Sequence, residues 1–206
     1  VKSLQDPALL LRQKMLAGLY RLTGRARFLT SYARSVPLLL SPVELGEIAA
    51  RLRRRPCRFL VFGAGHDSLL WAAINRRGRT LFLEDNAGWR RTISAQSRGL
   101  EIEAVSYTTR LGEFAEILHR PERLEMTLSP GVRAQRWDMI LVDGPLGWGD
   151  GPGRMQSIYE ASRLAASRAT IFVHDIDREA EALHAGAHLA GFTLAGMTER
   201  LARYER

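Results

Sequence analysis

Cysteine is almost missing from this chain. Cys57 is the single one among 206 residues, which excludes an intramolecular disulfide, and with no CxxC pair or Cys/His cluster the usual tetrahedral zinc site is excluded as well. No apolar run approaches the roughly 20 residues needed to cross a bilayer. The N-terminal stretch also lacks the basic, apolar, small-residue order of a secretory signal. The expectation is therefore a reducing, cytoplasmic setting with no membrane partner. No internal repeat and no low-complexity segment is present.

What is present is ordinary for a globular protein: 46% hydrophobic and 25% charged residues. The length suits one substantial core and is short for two domains with a linker. The division expected is an N-terminal helical arm over residues 1–40 and a main domain over 41–206. The formal net charge of +8 comes almost wholly from arginine. A basic field gathers any anion, whether nucleic acid, an anionic membrane surface or an acidic small substrate, so charge alone does not choose. Arg51, Arg53, Arg54 and Arg55 cluster where a helix should end, where they complement its dipole.

Apolar positions at helical spacing (Leu9, Leu10, Leu16, Leu19, Tyr20), interrupted by Gly18 and Gly24, predict one or two short helices before residue 35 that cover a face of the main fold. Ser41, Pro42 and Glu44 form a helix-start pattern, so a helix is expected from about 42 to 54, with Pro56 ending it. From residue 58, short apolar runs alternate with amphipathic stretches, the pattern of a mostly parallel sheet with crossover helices. Five strands are predicted: Arg58 to Phe62, Arg79 to Glu84, Glu101 to Tyr107, Asp138 to Asp143 and Thr170 to His174. Helices are predicted between them at 67–76, 87–97, 111–119 and 154–167. The tail, Phe192 to Met197 and Leu201 to Tyr204, could pair antiparallel at the sheet edge, although its turn lacks glycine and asparagine. The fold class is thus α/β and Rossmann-like, with a mostly parallel central sheet, helices on both faces and an N-terminal helical arm.

The chemistry gathers at the carboxyl ends of these strands. Strand one runs into Gly63-Ala64-Gly65-His66-Asp67-Ser68 and then a helix, a turn that brings backbone close to a nucleotide cofactor. Glu84 ends strand two, where an acid can accept bonds from both ribose hydroxyls of a nucleoside. Ser68 stands where a dinucleotide fingerprint has its third glycine. Asp67 at the helix start would repel a pyrophosphate but favour a ligand carrying ammonium and sulfonium charges. S-adenosylmethionine therefore fits better than NAD. The cofactor-binding candidates are Gly63, Gly65, Asp67, Ser68, Glu84 and Asp143, and Trp89 could stack on the adenine or simply be buried.

Asp143 ends strand four, and strand five ends in His174-Asp175 at the same rim. Together they are the catalytic candidates. They could also hold a divalent cation, which would acidify and orient a bound hydroxyl; without a metal, Asp143 or His174 must serve as general base. The glycine-rich stretch from Pro145 to Arg154 contains Trp148 and could close over a substrate. Arg154 could grip a carboxylate in a bidentate fork, and Arg110, leaving strand three, is a second candidate anion contact. With Trp148 they are the substrate-binding candidates.

The stretches Phe59 to Trp71, Gly78 to Asp85, Val105 to Arg110, Trp137 to Pro145, Gly151 to Met155 and Phe172 to Asp175 also make the sequence recognisable. Across about residues 41 to 180 it resembles the plant glucuronoxylan 4-O-methyltransferases and related polysaccharide-biosynthesis proteins. That resemblance implies S-adenosylmethionine as methyl donor and the 4-hydroxyl of glucuronic acid as acceptor, hence an acidic saccharide partner. The chain departs from the plant pattern in three ways. No N-terminal anchor is expected for it, it carries Gly144 where alanine is expected, and its loop to Arg154 differs, so a smaller uronic acid, a nucleotide sugar or a secondary metabolite is also open as acceptor. RNA is a weaker acceptor candidate, because the arginines are scattered and form no continuous stripe. A catalytically silent cofactor-binding scaffold is the remaining reading, opposed by the acids crowded at one rim.

Overall fold

The structure is a computed structural model that describes residues 6–96 and 99–206. Its N-terminal arm is two helices, α1 (Pro7–Thr23) and α2 (Ala26–Ala33). Asp6 caps the first through the Ala8 backbone N–H, and Gly24 ends it in left-handed backbone at φ 69. Gly18 does not interrupt it, since a single glycine costs a helix only about 1 kcal/mol. Helix α3 (Pro42–Arg54) begins with a full capping box, Ser41 and Glu44 each satisfying the other's backbone N–H.

The main unit then alternates strand and helix: β1 (Arg58–Phe62), α4 (Ser68–Ile74), β2 (Arg79–Glu84), α5 (Ala87–Gln96) and β3 (Glu101–Ala104). Short helices α6 (Pro121–Leu124) and α7 (Pro130–Arg133) precede β4 (Trp137–Val142). The chain continues through α8 (Met155–Leu164), β5 (Ala165–Val173), α9 (Glu179–His188), β6 (Thr193–Thr198) and β7 (Leu201–Glu205). The sheet order is β3-β2-β1-β4-β5-β7-β6, parallel from β3 to β5 and closed by the antiparallel pair β7 and β6.

Period-2 alternation divides the core between the two faces. Phe59, Val61, Phe82 and Leu141 pack under α1 to α4 with Leu16, Tyr20, Leu45 and Trp71. Leu60, Phe62, Leu83, Ile140 and Val173 face Ile158, Leu164 and Leu189 of α8 and the segment after α9. The central strands are apolar on both sides for this reason, and each such side chain contributes about 1.5–3 kcal/mol on burial.

Several boundaries differ from those predicted. Strand β3 stops at Ala104, because the Thr108 N–H and Thr109 hydroxyl turn aside to Gln156 Oε1 and the Pro152 carbonyl. The helix expected over 111–119 is only a 3-10 turn at Leu111–Glu113, and the Phe114 carbonyl instead accepts a bond from His184 Nε2 at 2.7 Å. Helix α8 gives way at Leu164 so that β5 can start at Ala165, in register with Trp137. The predicted helix 87–97 ends at Gln96, and Ser97 lies outside the described residues. The tail pairs as expected through a two-residue turn in which Glu199 takes left-handed backbone at φ 51.

Candidate active site

Strand register builds the site. Phe62 pairs with Leu83 and with Val142, and Val142 pairs with Val173. The next residue of each strand, Gly63, Glu84, Asp143 and His174, therefore falls in one row along the carboxyl rim, where open α/β sheets bind ligands. Gly63 has φ 98, and a Cβ placed on Gly144 would stand 2.8 Å from Gly63 Cα. The turns after β1 and β4 touch backbone to backbone, so glycine at 144 has a steric cause.

Above this floor opens a cavity of about 570 Å³. The Gly63–Asp67 turn, Glu84, Trp89, Asp143 and Trp148 line it, and so does a strap, residues 37–40, between α2 and α3. The strap was not singled out from the sequence, and its three leucines in a row, with Leu39 61% exposed, were the signal available. Tyr32, wholly buried, donates to the His66 carbonyl at 2.8 Å and so ties the arm to the turn.

Glu84 accepts from the Ala64 and Asn86 N–H groups, both at 2.9 Å. Burial raises its pKa above the ordinary carboxylate value. Asp67 is buried and accepts from Trp71 Nε1 at 2.8 Å; burial, then the nearby Asp143 charge, push its carboxyl up to about 7. Ser68 is buried and serves the turn itself, accepting from the Gly65 N–H at 2.9 Å. The Trp89 indole donates to the Ala64 carbonyl, and its ring meets His66 edge to face at 5.0 Å. The acids outnumber the bases in this cavity: Asp67, Glu84, Asp85 and Asp143 against Arg154 and His66.

Arg154 departs from its expected role. It is 1% exposed, and its guanidinium donates to the His174 carbonyl at 2.7 Å, to Asp143 Oδ1 at 3.2 Å and to Asp175 Oδ2 at 2.9 Å. It is the internal counter-ion of two carboxylates, with no fork left for an acceptor. Arg110 is exposed, its backbone N–H bonds Glu113, and it does not line the cavity. Trp148 does line the cavity, half exposed, with the Arg178 guanidinium 5.4 Å over its ring.

His174 is wholly buried, with Nδ1 donating to Asp143 Oδ1 at 2.8 Å and Nε2 3.5 Å from Glu44 Oε2. It stands behind Asp143 and cannot itself meet an acceptor. Glu44, read from sequence only as a helix-start acid, also accepts from the Arg200 backbone N–H at 3.0 Å. Asp143, His174 and Asp175 bring ligand atoms within 4.8 Å of one another. A divalent cation does not fit them as arranged. The Arg154 guanidinium lies between Asp143 and Asp175, and both Asp175 oxygens are already held by arginines.

Residues 43–130 and 121–204 match the family described as IRX15/IRX15L/GXM. The chain belongs to that family. Among curated relatives in Arabidopsis thaliana, it is 37% identical over 174 residues to Glucuronoxylan 4-O-methyltransferase 2, covering 74% of this chain and 60% of the relative. It is 35% identical to Protein IRX15-LIKE over 189 residues, with 78% and 60% covered, and 34% identical to Arabinogalactan O-methyltransferase 1 over 152 residues, with 61% and 52% covered. The chain thus spans 52% to 60% of the length of these relatives. The fold is that of class I methyltransferases: a Staphylococcus aureus protein assigned as a caffeoyl-CoA O-methyltransferase superposes with a TM-score of 0.53 at 13% identity, over 95% of this chain and 99% of that one. Among the described residues no helix is long and apolar enough to cross a membrane.

Proposed function

We propose that this chain is an S-adenosylmethionine-dependent O-methyltransferase whose acceptor is a hydroxyl of a uronic acid or related sugar. The observation that carries the reading is the shared cavity: Glu84 at the end of β2 and Asp143 at the end of β4 face one space, floored by the Gly63 turn. Its volume lies in the range of small-ligand sites. Its excess of carboxylates suits a donor carrying ammonium and sulfonium charge and disfavours a pyrophosphate. When bound, S-adenosylmethionine supplies a methyl group on a sulfonium centre that leaves as a neutral thioether.

The residues do the rest. Glu84 keeps acceptor capacity for ribose hydroxyls, and Trp89 offers a ring to the adenine. Asp143 Oδ1 is occupied by Arg154 and His174, while Oδ2 has no protein partner among the described residues. We assign to Oδ2 the role of receiving the acceptor hydroxyl's proton as the oxygen–carbon bond forms. Arg154 and His174 hold that carboxylate in one orientation. No metal is needed for this assignment, and none enters it.

The relatives' names support methyl transfer to polysaccharide hydroxyls but attach to two different polymers, so the donor carries over further than the acceptor. The cytoplasmic setting belongs to this proposal and is independent of its chemistry. The test is calorimetric titration with S-adenosylmethionine and separately with NAD, followed by turnover with glucuronic acid and uronate-bearing oligosaccharides. Saturable binding of the first cofactor alone, with methyl ether formed, is expected. Binding of neither by folded protein would move the chain to the scaffold reading.

A further inference from the structure

Asp175 is the most heavily bonded side chain at the rim, and it does not line the cavity. It is 1% exposed, and its backbone is left-handed at φ 58, a region uncommon outside glycine that aspartate enters more readily than most residues. Three guanidiniums surround its carboxylate: Arg154 Nη2 and Arg178 Nη2 each lie 2.9 Å from Oδ2, and Arg200 Nη1 lies 2.5 Å from Oδ1.

Each arginine continues to a different part of the cavity wall. Arg154 goes on to Asp143. Arg178 donates to the Gly147 carbonyl at 3.2 Å and covers the Trp148 ring, so it holds the loop after β4. Arg200, at the turn between β6 and β7, donates to the Leu39 carbonyl at 3.4 Å, so it holds the strap. The edge hairpin thereby has a function at the rim: it delivers Arg200 to Asp175.

We propose that Asp175 is a positioning residue that fixes two walls of the acceptor site through two separable branches, Arg200 to the strap and Arg178 to the loop. It is neither a catalytic base nor a metal ligand, because its oxygens are saturated with cations and shielded from the cavity. The naming of these walls as the acceptor site rests on the proposed function, whereas the bonding does not.

Limited proteolysis of the full chain with chymotrypsin, free of ligand, tests the branches by the cleavage rate after Leu38 to Leu40 and after Leu146 or Trp148. Arg200→Ala is expected to speed cleavage in the strap about tenfold and leave the loop unchanged, and Arg178→Ala to do the reverse. Asp175→Asn is expected to speed both; should that variant not fold, the two arginine variants carry the test alone. Loosening of both walls by either arginine variant, or of neither, would overturn the proposal. In turnover, Arg178→Ala is expected to raise the acceptor KM at least about fivefold with kcat within about twofold, whereas general structural damage lowers kcat at constant KM. The cleavage pattern stands or falls without methyl transfer, so failure of the proposed function leaves it readable.

Discussion

The guanidinium of Arg154 stands 3.2 Å from the Asp143 carboxylate, and the arginine of the pair is 1% exposed. A buried cation of this kind is held by its partners as much as it holds them. Taking it away leaves Asp143 without its arginine partner, Asp175 with only Arg178 and Arg200, and the buried His174 carbonyl without its donor.

Arg154→Ala is therefore expected to destabilise the fold by about 3–5 kcal/mol, read as a lower denaturant midpoint at unchanged slope. A residue that merely gripped the acceptor's carboxylate would behave differently. It would leave stability within about 0.5 kcal/mol, as substitutions away from structural features do, and raise only the acceptor KM.

On the proposed function, Asp143→Asn separates proton removal from donor binding. The amide keeps the side chain's shape but cannot accept the acceptor's proton, so turnover should fall at least about 100-fold. The dissociation constant for S-adenosylmethionine, followed by calorimetry, should stay within about threefold. Turnover near that of the unaltered protein would take Asp143 out of the mechanism.

Arg154 also decides the question of a metal. Because its guanidinium fills the position between the carboxylates, chelator treatment followed by gel filtration should leave turnover within about twofold, and added magnesium or manganese should not raise it. A large loss on chelation, restored by one cation, would mean that the arginine yields its place to an ion.

The rim was legible in the sequence because it depends on local signals. Each of Gly63, Glu84, Asp143 and His174 directly follows or ends an apolar run, and parallel register then aligns them. The capping box at Ser41 was equally local. What could not be read were partners distant in sequence. Nothing near Arg154 announces that Asp143 and Asp175 will saturate it, nor does Glu44 announce His174, 130 residues on (174 minus 44). The 3-10 turn at Leu111 shows the same limit, since a histidine of α9 takes the carbonyl that would have continued the helix. The strap escaped notice because a run of leucines reads as core until its neighbours are known.

Asp67 supplies a pH test of the donor. Burial holds its carboxyl up at about 7, above the ordinary 3.8. The folded value exceeds the unfolded one, so folding takes up a proton, and through this group the donor-free protein loses stability as pH rises from about 4 to about 7. A cationic donor reverses that preference, because it favours the ionised carboxylate. Its affinity should rise with pH by up to about tenfold per unit below 7 and level off above, with protons released on binding at pH of about 6. Asp67→Asn should flatten this slope and weaken binding most at the alkaline end. Equal affinity at pH values of about 6 and 8 in the unaltered protein would mean that the donor's charge does not meet Asp67.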